Sequence, residues 1–225
     1  MSHSYEVEIK SLLGSKENAD ALIDSLKKHD KGLKLAGQGK QLNHYFNYPE
    51  GADLYSALKG NISKEKLPAF ERILKEGKKL SVRTRDADGK VIFVVKASVG
   101  DDTSSNGVKR IEFEETVKMF LKELDVLLLK AGLTYQAKWS RERQEYVSKD
   151  THICLDKNAG YGYLAEFEKV TDDESSLENV RKELLAFMKE MGVEELPQDR
   201  LERMFAFYNA NWPKYYGTDN IFTIK

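Results

Sequence analysis

What most restricts the folds open to this chain is a charge alternation that keeps returning along it. Tyr5-Glu6-Val7-Glu8-Ile9-Lys10 carries the two-residue period of a strand, with Glu6, Glu8 and Lys10 on one face and Tyr5, Val7 and Ile9 on the other. Taken alone, such a segment reads as an edge strand with its polar side in water. The same spacing recurs as Arg83/Arg85 in 80–85, Arg110/Glu112/Glu114 in 109–115, Arg141/Arg143 in 139–143 and Glu166/Glu168 in 163–168, and Lys96 closes the apolar run 91–96. A solvated sheet face normally intersperses its signs. Here the pairs are sorted by sign, as if some strands supplied cations and others carboxylates to a common interior. Carboxylate pairs are hard oxygen ligands for Mg²⁺ or Mn²⁺, and arginine forks fit phosphate oxygens bidentately. Together they suit a polyanion that arrives with its metal.

The composition narrows this further. A chain of 225 residues is long enough for a sizeable core, and 32% charged against 40% hydrophobic residues describes a globular protein. With 36 basic and 37 acidic side chains it lacks the basic excess of a general nucleic-acid binder, so any anion site must be local. The single Cys154 rules out an internal disulfide and a multi-cysteine zinc site, which makes a reducing cytoplasm the expected location. No apolar run is long enough to span a bilayer, so no membrane is expected. His3, His29, His44 and His152 show no zinc-hydrolase spacing.

Along the chain, Ala19, Leu22, Ile23 and Leu26 predict a helix ending near 31–32, and 42–48 reads as the second strand. Residues 51–77 look like an insertion with a helix over 64–76, for which a lid and a homodimer contact are the alternatives. The runs 80–85 and 91–97 flank Asp86-Ala87-Asp88-Gly89, a hairpin signature. A loop over 99–107, a strand over 110–115 and a helix over 117–131 follow. Strands over 137–147, 152–156 and 162–170 come next, then a helix opened by a Ser175/Glu178 capping box and ended by Gly192, and another after Pro197. About eight strands, antiparallel by economy, give an α+β chain. Its expected form is a closed antiparallel eight-stranded β-barrel, a wet tunnel with helices packed outside. One domain over 1–225 is expected, with the insertion at 51–77 and a helical extension at 173–225.

These motifs in order resemble the CYTH superfamily, the triphosphate tunnel metalloenzymes, which include class IV adenylate cyclases, thiamine triphosphatases and inorganic triphosphatases. The E-x-E-x-K signature resembles Glu6, Glu8 and Lys10. The paired basic strand resembles Arg83 and Arg85, the lysine strand Lys96, and the R-x-E-x-E strand Arg110, Glu112 and Glu114. The K-x-R-x-x-Y segment resembles Arg141, Arg143 and Tyr146, with arginine in the lysine place. The last segment resembles Leu155, Asp156, Gly160, Gly162, Glu166 and Glu168. Asn43 stands where members often carry Asp, while Tyr45 is kept.

The resemblance implies that Glu6, Glu8, Glu166 and Glu168 coordinate Mg²⁺ or Mn²⁺, with Glu112 or Glu114 helping. It also implies that Lys10, Arg83, Arg85, Lys96, Arg110, Arg141 and Arg143 clamp a triphosphate, supported by Asp156. By analogy with thiamine triphosphatase, Lys96 and Tyr45 form a proton-handling pair. Tripolyphosphate, thiamine triphosphate and ATP are the candidate ligands. Three functions are weighed: a metal-dependent triphosphate hydrolase, a class IV adenylate cyclase making cyclic AMP and pyrophosphate, and a non-catalytic polyphosphate- or nucleotide-binding module.

Overall fold

The alternating segments do form strands, and the turn residues between them explain where they stop. The computed structural model describes residues 5–98 and 110–224, without the side chains of Glu6, Ser98, Arg110 and Glu174. The loop expected over 99–107 therefore lies outside the described residues. In chain order the elements are β1 (Tyr5–Gly14), α1 (Lys16–His29), β2 (Lys34–Asn47), α2 (Leu54–Leu58), α3 (Leu67–Glu76), β3 (Lys78–Ala87), β4 (Lys90–Ser98) and β5 (Arg110–Thr116). They continue with α4 (Leu121–Lys130), β6 (Thr134–Ser148), β7 (Thr151–Asn158), β8 (Gly162–Thr171), α5 (Leu177–Glu190) and α6 (Gln198–Asn211).

The fold is α+β, with eight strands hydrogen-bonded in the order β1-β8-β7-β6-β2-β3-β4-β5. Antiparallel pairing is seen throughout the described registers. Among the described residues β1 and β5 stand at the ends of this order, so the expected closure into a barrel is not made by hydrogen bonds. Each end strand has its own cover. In β1 the Lys10 carbonyl accepts from Leu196 N at 2.7 Å, and in β5 the Glu114 carbonyl accepts from Lys66 Nζ at 2.8 Å. Edge backbone occupied in this way is a poor template for further pairing.

The chain divides into two compact units, 1–40 with 140–225, and 41–139. In the first unit the apolar face of β1, β7 and β8 is covered by α1 and α5. Ile9, Ile153, Leu155, Ala165 and Phe167 pack with Leu22, Leu26, Leu184 and Met188. Helix α1 forms where Ser15 accepts from Asn18 N at 3.3 Å, and its last turn carries Lys27, Lys28 and His29 against the helix dipole. The last strapped segment also belongs here. Asn220 O and Phe222 N bond to the Gly160 backbone at 3.1 and 2.8 Å, and Lys157 pairs with Asp219 at 2.6 Å.

In the second unit the apolar face of β2 to β5 is covered by α2, α3 and α4. The 51–77 segment supplies the middle of that core through Leu54, Leu58, Ile62, Phe70 and Ile73. The unit's hairpin turns on Asp88 and Gly89, both at positive φ (50° and 84°), with Ala87 opposite Lys90. Two left-handed residues in succession are what a two-residue turn between twisted strands requires, hence the Asp-Gly.

Three boundaries differ from expectation. Strand β2 begins at Lys34 rather than 42, across a Gly37/Gly39 stretch that has no apolar alternation. Helix α4 begins at Leu121 rather than 117 because Val117 N still donates to Val91 O at 2.9 Å, prolonging the sheet. The Ser175/Glu178 capping box does not form: Ser175 Oγ turns to Asp173 at 2.8 Å, and α5 starts at Leu177 after a short 3₁₀ turn.

Candidate active site

In the first unit the face of β1, β8, β7 and β6 opposite the helices carries the charged pairs. Register sets Glu8 opposite Glu168 and Lys10 opposite Glu166. Glu168 then lies opposite His152, and Glu166 opposite Cys154. Asp156 faces Arg143, and Asn158 faces Arg141. The hub is Asp156, only 1% exposed. Arg143 grips it with both prongs of its fork, Nε to Oδ1 at 2.7 Å and Nη2 to Oδ2 at 2.6 Å, while Arg141 Nη1 reaches Oδ2 at 3.1 Å. Arg143 Nη2 also donates to Glu166 Oε2 at 2.6 Å, and Lys10 Nζ lies 3.4 Å from Glu166 Oε1 and against Glu8.

Burial alone would push the Glu166 carboxyl up, but Lys10, Arg143 and Arg141 outweigh it and hold it below the usual range. Burial would likewise lower Arg143, and the bonds it donates to Asp156 keep it firmly protonated. A carboxylate with a depressed native value adds stability above its ordinary range and loses it as pH falls through the depressed value. Unfolding free energy is therefore expected to fall as pH drops below the ordinary glutamate range, and Glu166→Gln should flatten that dependence in urea titrations.

By residue type, though not as a gathered cluster, this set suits a divalent cation. Glu8, Glu166 and Glu168 offer only hard carboxylate oxygens on one sheet face, and the ammonium of Lys10 already sits where Glu8 and Glu166 both accept a positive charge. No cluster of three or more His, Cys, Asp or Glu side chains is gathered for a metal among the described residues. The expected fourth carboxylate, on Glu6, has its side chain outside them. Cys154, buried beside Glu166 across β7 and β8, has its thiol pushed up to about 12 by that burial, which makes it a poor ligand and nucleophile.

The second unit repeats the plan on a face of β2 to β5. Tyr45 lies opposite Arg83 and Asn43 opposite Arg85, and Lys96 lies opposite Glu112. The Arg83 guanidinium sits over the Tyr45 ring, 4.8 Å from its centroid. Arg85 Nε donates to Asn43 Oδ1 at 2.9 Å, with Nη1 3.5 Å from Glu114. Lys96 Nζ pairs with Glu112 Oε2 at 2.9 Å. The structure thus engages Tyr45 with Arg83 and Lys96 with Glu112. The Arg83 Nε–H is buried with no acceptor among the described residues, and the Arg110 side chain lies outside them.

Sequence reasoning passed over the polar residues on the helix-covered side of these same strands. His44, Thr84 and Tyr135 all bond to Asp125 of α4. Their alternation with Asn43, Tyr45, Arg83 and Arg85 was the available signal.

The CYTH domain family matches residues 4–200, and the chain belongs to that family. No functionally curated protein matches it. Among solved structures it is similar to a protein of Pyrococcus horikoshii, at 19% identity over 90% of this chain and 99% of that one, TM-score 0.58. It is also similar to a candidate adenylate cyclase of Vibrio parahaemolyticus, at 17% identity over 90% and 98%, TM-score 0.56. A third is a candidate adenylyl cyclase of Hippeastrum described as having a dominant triphosphatase activity, at 19% identity over 90% and 96%, TM-score 0.50. At such identities the likeness is one of fold. Within the described residues no helix is long and apolar enough to cross a membrane.

Proposed function

We propose that this protein is a divalent-metal-dependent hydrolase of a triphosphate, either tripolyphosphate or an organic triphosphate. The observation that carries the reading is the buried Arg83 Nε–H with no acceptor among the described residues. A buried donor left unmade costs about 1–3 kcal/mol, so the position favours an oxygen brought by a ligand. Among the described side chains of this face, Arg83, Arg85 and Lys96 stand with Glu112 and Glu114, and guanidinium forks of this kind suit phosphate oxygens. In the first unit the described site sets Lys10, Arg141 and Arg143 against Glu8, Asp156, Glu166 and Glu168, which suits a metal ion.

Phosphoryl transfer needs positioning and charge neutralisation more than a protein nucleophile. Bound Mg²⁺ or Mn²⁺, held by Glu8, Glu166 and Glu168 with Glu6, would neutralise the phosphate chain. In the first unit Arg141 and Arg143, fixed by Asp156, would orient phosphate oxygens; in the second, Arg83 and Arg85 are the described guanidiniums suited to phosphate, with Arg110 added from the family pattern. Lys10, between Glu8 and Glu166, would stabilise charge growing on the bond that breaks. Water adds to the terminal phosphorus, and the products are orthophosphate and the shortened phosphate chain.

The test is an assay with Mg²⁺ or Mn²⁺ against tripolyphosphate, thiamine triphosphate and ATP, with products separated. Phosphate release that EDTA abolishes supports the reading. The names carried by the Vibrio and Hippeastrum proteins make cyclic AMP the other product to look for. Cyclic AMP with pyrophosphate from ATP would make the protein a cyclase, and tight binding without turnover a binding module.

Tyr45 supplies a sharper check. If its ring is a shelf for Arg83, Tyr45→Leu loses a cation–π contact of about 0.5–2 kcal/mol, raising KM for tripolyphosphate roughly two- to thirtyfold. Tyr45→Phe should stay within about twofold of wild type. A collapse of kcat in Tyr45→Phe would instead make the hydroxyl the proton-handling group.

A further inference from the structure

Asp125 is 3% exposed, yet it interrupts the apolar stripe by which Leu121, Leu124 and Leu128 of α4 enter the core of the second unit. Packing alone does not ask for a carboxylate there, and an apolar side chain would fill the same space at no desolvation cost. What the carboxylate does is gather three strands. His44 Nδ1 of β2 lies 2.7 Å from Oδ2, Thr84 Oγ1 of β3 donates to Oδ1 at 2.6 Å, and the Tyr135 hydroxyl of β6 donates to Oδ2 at 2.7 Å. Burial would raise this carboxyl, and the three donors outweigh it, keeping it ionised and accepting. Because an ionised carboxylate only accepts, the proton of that histidine bond is on Nδ1.

His44 and Thr84 are directly opposite each other across β2 and β3. Their neighbours on either side, Asn43 with Arg85 and Tyr45 with Arg83, are the two cross-strand pairs of the site, pointing the other way. Holding His44 and Thr84 from behind fixes both the register and the spacing of the segments that present the arginines in front. A one-residue slip would turn His44 and Thr84 away from Asp125 and bring the arginine face into the core.

We propose that Asp125 is a positioning residue for the phosphate-binding face of the second unit, acting through His44 and Thr84 on the placement of Arg83 and Arg85. The inference rests on the triphosphate reading for its kinetic consequence, but not for its structural one.

The experiment compares wild type, Asp125→Asn, Thr84→Val and Leu124→Ala. Leu124→Ala empties part of the same helix interface while leaving the network intact. The arginine Nε–H resonances are followed by NMR, and tripolyphosphate kinetics with Mg²⁺ are measured at a temperature where each variant is folded. The expected result is that Asp125→Asn shifts or broadens the Nε–H signals of Arg83 and Arg85. It should also raise KM about fivefold or more, with kcat changed less than about threefold. Thr84→Val should do the same to a smaller extent without lowering Tm much. Leu124→Ala should lower Tm yet leave both signals, and KM within about twofold, unchanged.

Equal displacement of the arginine signals in Leu124→Ala and Asp125→Asn, or no displacement in Asp125→Asn, overturns the proposal. If Asp125→Asn does not fold, unaltered arginine signals in Thr84→Val overturn it in the same way. A wild type that neither binds nor hydrolyses tripolyphosphate defeats the triphosphate reading, and the NMR comparison still decides this one.

Discussion

Alanine at position 156 is expected to destabilise the first unit by about 3–5 kcal/mol, the usual result of removing one partner from a buried ion pair. Arg143 would lose both bonds of its fork, at 2.7 and 2.6 Å, and Arg141 its bond at 3.1 Å. Neither guanidinium can shed its proton to relieve the loss. Among the described residues Glu166 would remain as the partner of Arg143. Amide exchange should quicken across β6, β7 and β8, the urea midpoint should fall, and triphosphate turnover should be lost even where the variant is folded. Asp156→Asn keeps the shape and one acceptor oxygen, so it should stand between wild type and alanine in stability. If alanine leaves the midpoint where it was, the hub assignment is wrong.

The second large effect is expected at Gly162. Its φ is +72°, and a Cβ there would lie 2.2 Å from the carbonyl oxygen of Gly14, a backbone atom that cannot swing aside. Gly162→Ala combines about 1–2 kcal/mol for a left-handed alanine with about 1–3 kcal/mol for overpacking. Gly89, at φ +84° with nothing within 4 Å of its would-be Cβ, supplies the control. Gly89→Ala should lose only the conformational part, about 1–2 kcal/mol. Thermal unfolding of the two variants side by side separates strain from collision. A Gly162→Ala as mild as Gly89→Ala would mean that the close approach of β8 to the end of β1 is relaxed at little cost.

These cases also show which parts of the molecule were legible beforehand. The charge pairs were, because a two-residue period and a sorted sign survive in the sequence whatever the tertiary arrangement. Asp88-Gly89 was, because its backbone demand is local. The glycine stretch of β2 was not, since Gly37 and Gly39 carry no side chain to alternate. Asp125 was hidden for another reason: its partners lie 81, 41 and 10 residues away, so only the folded chain shows that they share one carboxylate. The pairing of Tyr45 with Arg83 was likewise fixed by register, which the sequence leaves open. Hydrogen-bonded closure of the sheet is not seen among the described residues, and strand patterning does not say what will occupy an outer edge. Here Leu196 and Lys66 do.

The one thiol of the chain, buried beside Glu166 on the neighbouring strand, gives the experimenter a reporter that needs no engineering. A maleimide dye can reach it only while the β6–β8 region breathes, so the labelling rate clocks that breathing. Occupancy of the neighbouring carboxylates by metal and phosphate should slow the clock, which would reveal ligand capture even in a variant that turns nothing over.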